Sequence, residues 1–174
     1  MNLRIVEFSE KDLSRVQDFD AGSGRWAELA SEWIKQAPPF PGALSSMEKY
    51  HNKVWLYFVD AGEVEFLVGF AAIGVTRWKI PAPPNGEERD VGIVPMLAIA
   101  RAFQGKPQDD AAKRYSRQIL EHVVGQACER GYRELCLTVN ADNIRAVRLY
   151  QSSGFQILGP KDGHGNLRML KRLD

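Results

Sequence analysis

The chain has 174 residues, of which 44% are hydrophobic and 26% charged, as in a globular protein rather than a disordered one. Its 23 Lys and Arg nearly balance 22 Asp and Glu, and a net charge of +1 provides no overall field for nucleic acid or an anionic membrane. The longest apolar run, 66–75, is shorter than the roughly 20 residues that span a bilayer, and the first residues lack a signal-peptide pattern. We therefore predict one domain over 1–174, cytoplasmic and without a membrane partner.

The first part of the chain predicts a strand and two helices. Apolar and charged side chains alternate over 3–8, which favours a strand, and Leu13 and Val16 then indicate a short helix. Residues 26–34 have the spacing of an amphipathic helix, which the following prolines terminate. The two tryptophans of this helix share one face, so they belong either to the core or to a homodimer contact.

A hairpin and a further strand follow. Aromatic and β-branched residues fill 54–60 and 64–75 on either side of the turn Ala61-Gly62, which predicts a β-hairpin. Prolines and glycines recur among polar residues over 77–89, and we expect a surface loop there. An apolar strand is expected to resume over 91–100.

The last part of the chain predicts a long helix and four shorter elements. Apolar residues recur at helical spacing from Tyr115 to Cys128, and Gly131 ends the helix. The remaining elements are, in order, a strand, a short helix and two strands, over 135–139, 143–152, 155–158 and 167–173. This order predicts a single α/β domain with a mixed central sheet flanked by helices.

The two cysteines, Cys128 and Cys136, have neither the number nor the neighbours of a disulfide framework or a zinc site. We expect both to be buried as small apolar residues, and we predict no metal site. Two histidines, His122 and His164, are expected to be exposed.

Two motifs carry the clearest functional signal. The first reads Asn143-Ile144-Arg145-Ala146-Val147-Arg148-Leu149-Tyr150-Gln151-Ser152-Ser153-Gly154-Phe155 and resembles the N-x-x-A-x-x-L-Y-x-x-x-G-F signature of the GNAT acetyltransferases. The second, residues 97–106, is similar to the L-A-V-D-x-x-Y-Q-G-K strand exit of that family. The order of elements also matches. The resemblance implies the GNAT fold, acetyl-CoA as co-substrate, and direct acetyl transfer to a primary amine of a small molecule or peptide in a ternary complex.

The resemblance assigns roles within these motifs. It makes Tyr150 the general acid for the leaving thiolate, a role that suits a phenol because its pKa near 10 keeps it un-ionised at neutral pH. Helical spacing alone would instead place Tyr150 on an apolar face. Asn143 is a helix cap, a ligand of the pantetheine arm, or both. Leu97 and Ile99 match the strand whose main chain holds the pantetheine.

The pyrophosphate loop departs from the family pattern Q/R-x-x-G-x-G/A. One alignment places it at 104–109, where an aspartate would repel phosphate. Another, counted back from the paired apolar residues of the long helix, places it at 112–117, which we prefer. Its proposed cofactor-binding residues are Lys113, Arg114, Tyr115, Ser116 and Arg117. Alternatively, these cations line a solvated helix face.

The sequence identifies no general base and leaves two alternative functions open. Glu28, Glu32, His51 and Asp90 are candidate bases by charge alone. The altered loop is compatible with a non-catalytic CoA-binding or interaction module.

A toxin-type GNAT that acetylates aminoacyl-tRNA is the other alternative, because 19–22, Phe-Asp-Ala-Gly, resembles the F-D-C-G opening of those toxins. Nucleic acid is an expected partner only in that case, with Arg77, Trp78 and Lys79 contacting the RNA.

Overall fold

The computed structural model describes residues 3–35, 42–80, 87–105 and 115–173. Its strands and α-helices are, in chain order, β1 (Arg4–Glu7), α1 (Arg25–Lys35), α2 (Ala43–Tyr50), β2 (Lys53–Ala61), β3 (Val64–Ile80), β4 (Glu87–Ile93), β5 (Leu97–Ile99), α3 (Tyr115–Glu129), β6 (Glu134–Asn140), α4 (Ile144–Ser152), β7 (Gln156–Ile157) and β8 (Asn166–Arg172). Two short 3-10 helices, Glu10–Val16 and Arg101–Phe103, complete the set. The chain divides into two compact units, Met1–Ala72 with Met96–Leu120 and Ile73–Pro95 with Glu121–Asp174.

The first unit contains an antiparallel part of the sheet and two helices. β1 pairs with β2, β2 with β3, and β5 adds to β3 with Gly69 opposite Ile99. Its core includes packed aromatic rings: the ring of Trp33 stacks on Phe70 at 5.6 Å, and Phe19 meets the same ring edge-on at 5.2 Å. Each such side chain contributes roughly 1.5–3 kcal/mol when it leaves water, which is why α1 stays against the sheet.

The second unit contains the mixed part of the sheet. The later part of β3 pairs antiparallel with β4, β4 pairs parallel with β6, β6 antiparallel with β8, and β8 antiparallel with β7. Buried side chains of α3 and β6 supply much of its core, including Val123, Ala127, Leu135 and Leu137. The predicted α/β class with an open mixed sheet flanked by helices is confirmed.

The expected loop over 77–89 is wrong in its extent. β3 continues to Ile80 and β4 starts at Glu87, with Arg77 opposite Asp90 and Trp78 opposite Arg89. Opposite charges facing one another across strands, next to residues that favour strands, outweigh the loop signal of the prolines and glycines. The strand expected over 91–100 is likewise interrupted, and Pro95 lies between β4 and β5, where its missing N–H cannot join a ladder.

Several smaller expectations are corrected too. The short helix near Leu13 is a 3-10 helix, and α2 lies in a region where no helix was expected. Cys136 is buried as predicted, but Cys128 is exposed because helical geometry turns it off the face formed by Val123 and Ala127.

The expected exposure of the histidines is right for His164 and wrong for His122, which is half-buried. The tryptophans of α1 differ as well, since Trp33 lies in the core and Trp26 is 45% exposed.

The longest helix described has 15 residues, and no described helix is long and apolar enough to span a bilayer.

Candidate active site

Tyr150 lies near the end of α4 and is the most informative polar side chain of the second unit. It is only 8% exposed, and its ring packs against Phe155 with centroids 5.8 Å apart. Burial raises the pKa of its phenol to about 12. The phenolic O–H has no hydrogen-bond partner among the described residues, an arrangement that costs about 1–3 kcal/mol in a buried group. It is therefore available to a ligand atom.

Asn143 sets the start of the helix that carries Tyr150. Its Oδ1 accepts a hydrogen bond from the N–H of Ala146 at 3.2 Å, so the predicted helix cap is confirmed. The side chain is exposed, and its Nδ2 donates to no acceptor in the described segments. At the other end, Gly154 adopts a φ of 88°, which favours glycine and ends the helix just before Phe155.

The main chain of β5 presents one edge that pairs with no strand in the described part of the chain. Ala100 N–H donates to Val68 at 2.7 Å, and Ala72 N–H donates to the carbonyl of Met96 at 2.8 Å. In an antiparallel pair, the backbone N–H and C=O of every second residue face the partner strand. Met96 and Ala100 bond to β3 in this way, so the N–H and C=O of Leu97 and Ile99 point away from β3. These are the two residues expected to offer main-chain groups to pantetheine.

The preferred pyrophosphate loop, 112–117, is described only in its second half. Tyr115 is the first residue of α3, and its buried ring packs edge-on against Phe103 at 5.6 Å. Its side chain therefore belongs to the core, and only its main chain is suited to the ligand. Ser116 and Arg117 are half-buried in the first turn of α3, where N–H groups are suited to anions. Lys113 and Arg114 lie outside the described residues.

The four candidate bases are distributed over different elements of the fold. Glu28 and Glu32 lie on α1, and His51 follows α2 in the left-handed conformation, with φ 53°. Asp90 lies on β4 in the other unit, opposite Arg77. Their described contacts single out none of them as a base. No group of three or more His, Cys, Asp and Glu that could bind a metal occurs within the described residues.

One polar contact was missed by sequence reasoning. The Nε2 of Gln104 donates to the carbonyls of Ile99 at 3.0 Å and Ala21 at 2.6 Å. The sequence signal was the Gln-Gly pair after β5, which one alignment placed in the pyrophosphate loop and the preferred alignment placed before it.

Known proteins resemble this chain in both sequence and fold. Residues 25–155 match the family model described as Acetyltransferase (GNAT) family. Spermine/spermidine N(1)-acetyltransferase of Bacillus subtilis is 32% identical over 127 residues, 71% of this chain and 72% of that protein. N-alpha-acetyltransferase RimI of Mycobacterium tuberculosis is 30% identical over 141 residues, 80% of this chain and 75% of that protein.

A solved structure has the same fold at lower identity. It is that of a mutant of the toxin AtaT bound to the C-terminus of the antitoxin AtaR and acetyl-CoA. The match has a TM-score of 0.65 and 17% identity, and covers 99% of this chain and 94% of that one. The match to the family model and these two relatives show that the chain belongs to the GNAT family and is an acetyl-CoA-dependent acetyltransferase.

Proposed function

We propose that the protein transfers the acetyl group of acetyl-CoA directly to a primary amine of a polyamine in a ternary complex, with Tyr150 at the leaving sulfur. The observation that carries the proposal is the buried phenol of Tyr150, which lies inside the family motif without a hydrogen-bond partner among the described residues. A donor in that condition suits a ligand atom that gains negative charge during the reaction.

The chemistry of the step fits a neutral phenol. The amine nitrogen attacks the thioester carbon, and the carbon–sulfur bond breaks with its electron pair staying on sulfur. The proton that the nitrogen loses passes to solvent water, since no general base is assigned. Tyr150, with its pKa raised to about 12, is protonated throughout the neutral range. Because a thiol titrates near 8.5, complete proton transfer to a free thiolate is uphill by about 5 kcal/mol. Tyr150 therefore acts as general acid chiefly through the hydrogen bond that it donates to sulfur as charge develops.

The cofactor is assigned to three groups of residues. The outward main-chain groups of Leu97 and Ile99 bind the pantetheine amides, as an added strand would be bound. The motif assigns the amide Nδ2 of Asn143 to pantetheine as a donor, while Oδ1 caps the helix.

The pyrophosphate lies at the start of α3, where residues 112–117 supply both N–H groups and charge. The cations there are Lys113, Arg114 and Arg117, with Ser116 at the close approach and the main chain of Tyr115 between them. The helix start and the charge of this segment support the assignment.

A polyamine is the acceptor that one of the two relatives and two carboxylates on α1 support together. The relative from B. subtilis is named for spermine and spermidine. Glu28 and Glu32 lie one turn apart on α1, which packs on β5. Like charges at this spacing are unfavourable in an isolated helix, and a bound polycation would relieve their repulsion. RimI suggests a peptide N-terminus as the competing acceptor.

The tRNA-modifying alternative has weaker support. The likeness to AtaT concerns the fold, and the ring of Trp78, expected to stack on RNA, is covered on one face by the guanidinium of Arg168 at 4.0 Å. Trp78 also packs against the buried cluster formed by Val91, Cys136 and Leu170. Arg77 projects to the opposite face of β3, because side chains alternate along a strand.

Binding and kinetics with the purified protein test this function. Acetyl-CoA is titrated calorimetrically, and initial rates are measured with spermidine, spermine and a peptide with a free N-terminus. We expect micromolar cofactor binding, a higher kcat/KM for the polyamines than for the peptide, and intersecting double-reciprocal lines. Absence of acetyl-CoA binding would overturn the proposal, and preference for the peptide would overturn its acceptor.

We infer further that residues 1–174 act as one GNAT domain and that the enzyme works in the cytoplasm. The family match over 25–155 takes in residues of both compact units, which supports a single functional domain. Both cysteines are unpaired, as is usual in a reducing compartment.

A further inference from the structure

The side chain of Gln104 connects β5, where the pantetheine is proposed to bind, with the stretch of chain just before α1. Its Nε2 donates to the carbonyl of Ile99, on the outward edge of β5, and to the carbonyl of Ala21. A primary amide nitrogen carries two hydrogens, so both bonds form at once. Ala21 belongs to the segment 20–24, here called the lead-in segment, which ends immediately before α1.

The lead-in segment is held firmly on this side of the unit. Arg101 N–H donates to the carbonyl of Asp20 at 2.7 Å, and Ala21 N–H donates to Oγ of Ser31 at 2.9 Å. Ala21 itself is buried. With its neighbours fixed in this way, the contact to Gln104 links Ile99 to the segment that precedes α1.

The Ile99 carbonyl is also an oxygen that a pantetheine amide would use. A ligand that joins β5 as an added strand donates to the outward carbonyls, and one of these is occupied by Nε2 of Gln104 at 3.0 Å. A carbonyl oxygen has two lone pairs, so the cofactor and Gln104 would share this acceptor, and each donor would weaken the hydrogen bond of the other.

We propose that Gln104 is a positioning residue that couples acetyl-CoA binding to the lead-in segment and thereby to amine binding. The cofactor weakens the hydrogen bond from Nε2 to Ile99 while the amide remains on Ala21, so the lead-in segment changes its position or mobility when acetyl-CoA binds. This inference rests on the proposed function, because it requires the pantetheine on β5.

The Gln104→Ala variant separates coupling from cofactor binding. Without the amide, acetyl-CoA no longer shares the Ile99 carbonyl, and its Kd stays the same or falls up to about threefold. The KM for spermidine rises about tenfold, the size of one lost hydrogen bond. The kcat at saturating spermidine stays within about twofold of wild type. A role in folding alone would not produce this division between KM and Kd.

The coupling is measured directly by the amide hydrogen-exchange rates of residues 20–24 with and without acetyl-CoA. We expect acetyl-CoA to change the exchange rate of this segment at least threefold in wild type and not in Gln104→Ala. Gln104→Glu keeps the length of the side chain but loses both N–H donors, so it should behave like the alanine variant. Gln17→Ala is the matched control and should leave every value unchanged. Among the residues that the structure describes, Nε2 of Gln17 donates to the carbonyl of Leu13 alone, at 3.0 Å.

The outcomes distinguish this inference from the function on which it rests. If wild type fails to bind acetyl-CoA, both are overturned. If wild type binds acetyl-CoA and Gln104→Ala shows the same exchange response and the same KM for spermidine as wild type, the coupling alone is overturned.

Discussion

The rings of Tyr150 and Phe155 meet edge-on across the C-terminal end of α4, with their planes at 61°. The contact places a phenol in apolar surroundings, and burial raises its pKa to about 12. The apolar surroundings stabilise the packing of the ring but leave the hydroxyl with no acceptor among the described residues. Packing therefore depends on the ring of Tyr150, whereas the proposed catalysis depends on its hydroxyl.

Tyr150→Phe separates these two demands. Because the ring is retained, we expect the melting temperature to stay the same or rise slightly and the Kd for acetyl-CoA to change less than threefold. We expect kcat to fall about 100-fold, since the donor to the leaving sulfur is lost. Steady-state kinetics, calorimetry and a thermal melt measure the three values. A variant with wild-type kcat would remove Tyr150 from the reaction.

The raised pKa of Tyr150 predicts the alkaline side of the rate profile. The neutral phenol is the active form. An ordinary tyrosine is half ionised near pH 10, whereas a pKa of about 12 keeps Tyr150 neutral, and the enzyme active, at higher pH. At saturating acetyl-CoA, kcat/KM for spermidine should rise as the amine loses its proton and show no falling limb below pH 11. A falling limb at or below pH 10 in wild type that is absent from Tyr150→Phe would contradict the pKa.

Asn143 offers a way to distinguish a helix cap from a cofactor ligand. Asn143→Ala removes Oδ1, the acceptor for Ala146 N–H, and should cost about 1 kcal/mol of unfolding free energy. Asn143→Asp keeps a capping oxygen but removes the Nδ2 donor, so we expect near-normal stability and acetyl-CoA binding weakened about tenfold. Urea unfolding and calorimetry on the two variants make the comparison. Normal binding by Asn143→Asp would leave the residue as a cap only.

The ion pair between Arg89 and Glu134 should stabilise the second unit. It is bidentate, with Nε to Oε2 at 2.8 Å and Nη2 to Oε1 at 2.6 Å, and the carboxylate side chain is only 9% exposed. Arg89→Ala would leave a buried charge without its main partner and should lower the unfolding free energy by about 2 kcal/mol.

Arg172→Ala is the control for that variant. Arg172 lies 4.0 Å from the same carboxylate and is 85% exposed, so its loss should cost less than about 0.5 kcal/mol. Urea midpoints for the two variants give the comparison. Equal effects would mean that the bidentate geometry adds nothing.

Local patterns in the sequence determined much of the fold and the centre of the candidate site. The helical spacing after Tyr115, the strand alternation around Cys136 and the capping residue Asn143 each act within a few residues, and the structure contains the corresponding elements. The motif ending at Phe155 led to the acetyltransferase family because its residue types and spacing are specific by themselves.

Only the tertiary structure decided which side chains leave water and which distant groups meet. Cys128 is exposed and the ring of Tyr115 is buried because packing covers only one narrow face of the helix. Helical spacing in the sequence predicts that face only to within one or two residues. The bridge from Gln104 to Ala21 joins residues 83 positions apart, and no local pattern predicts such a pair. Hydrogen bonds of this kind form only after the chain has folded, since they depend on where the strands bring the backbone.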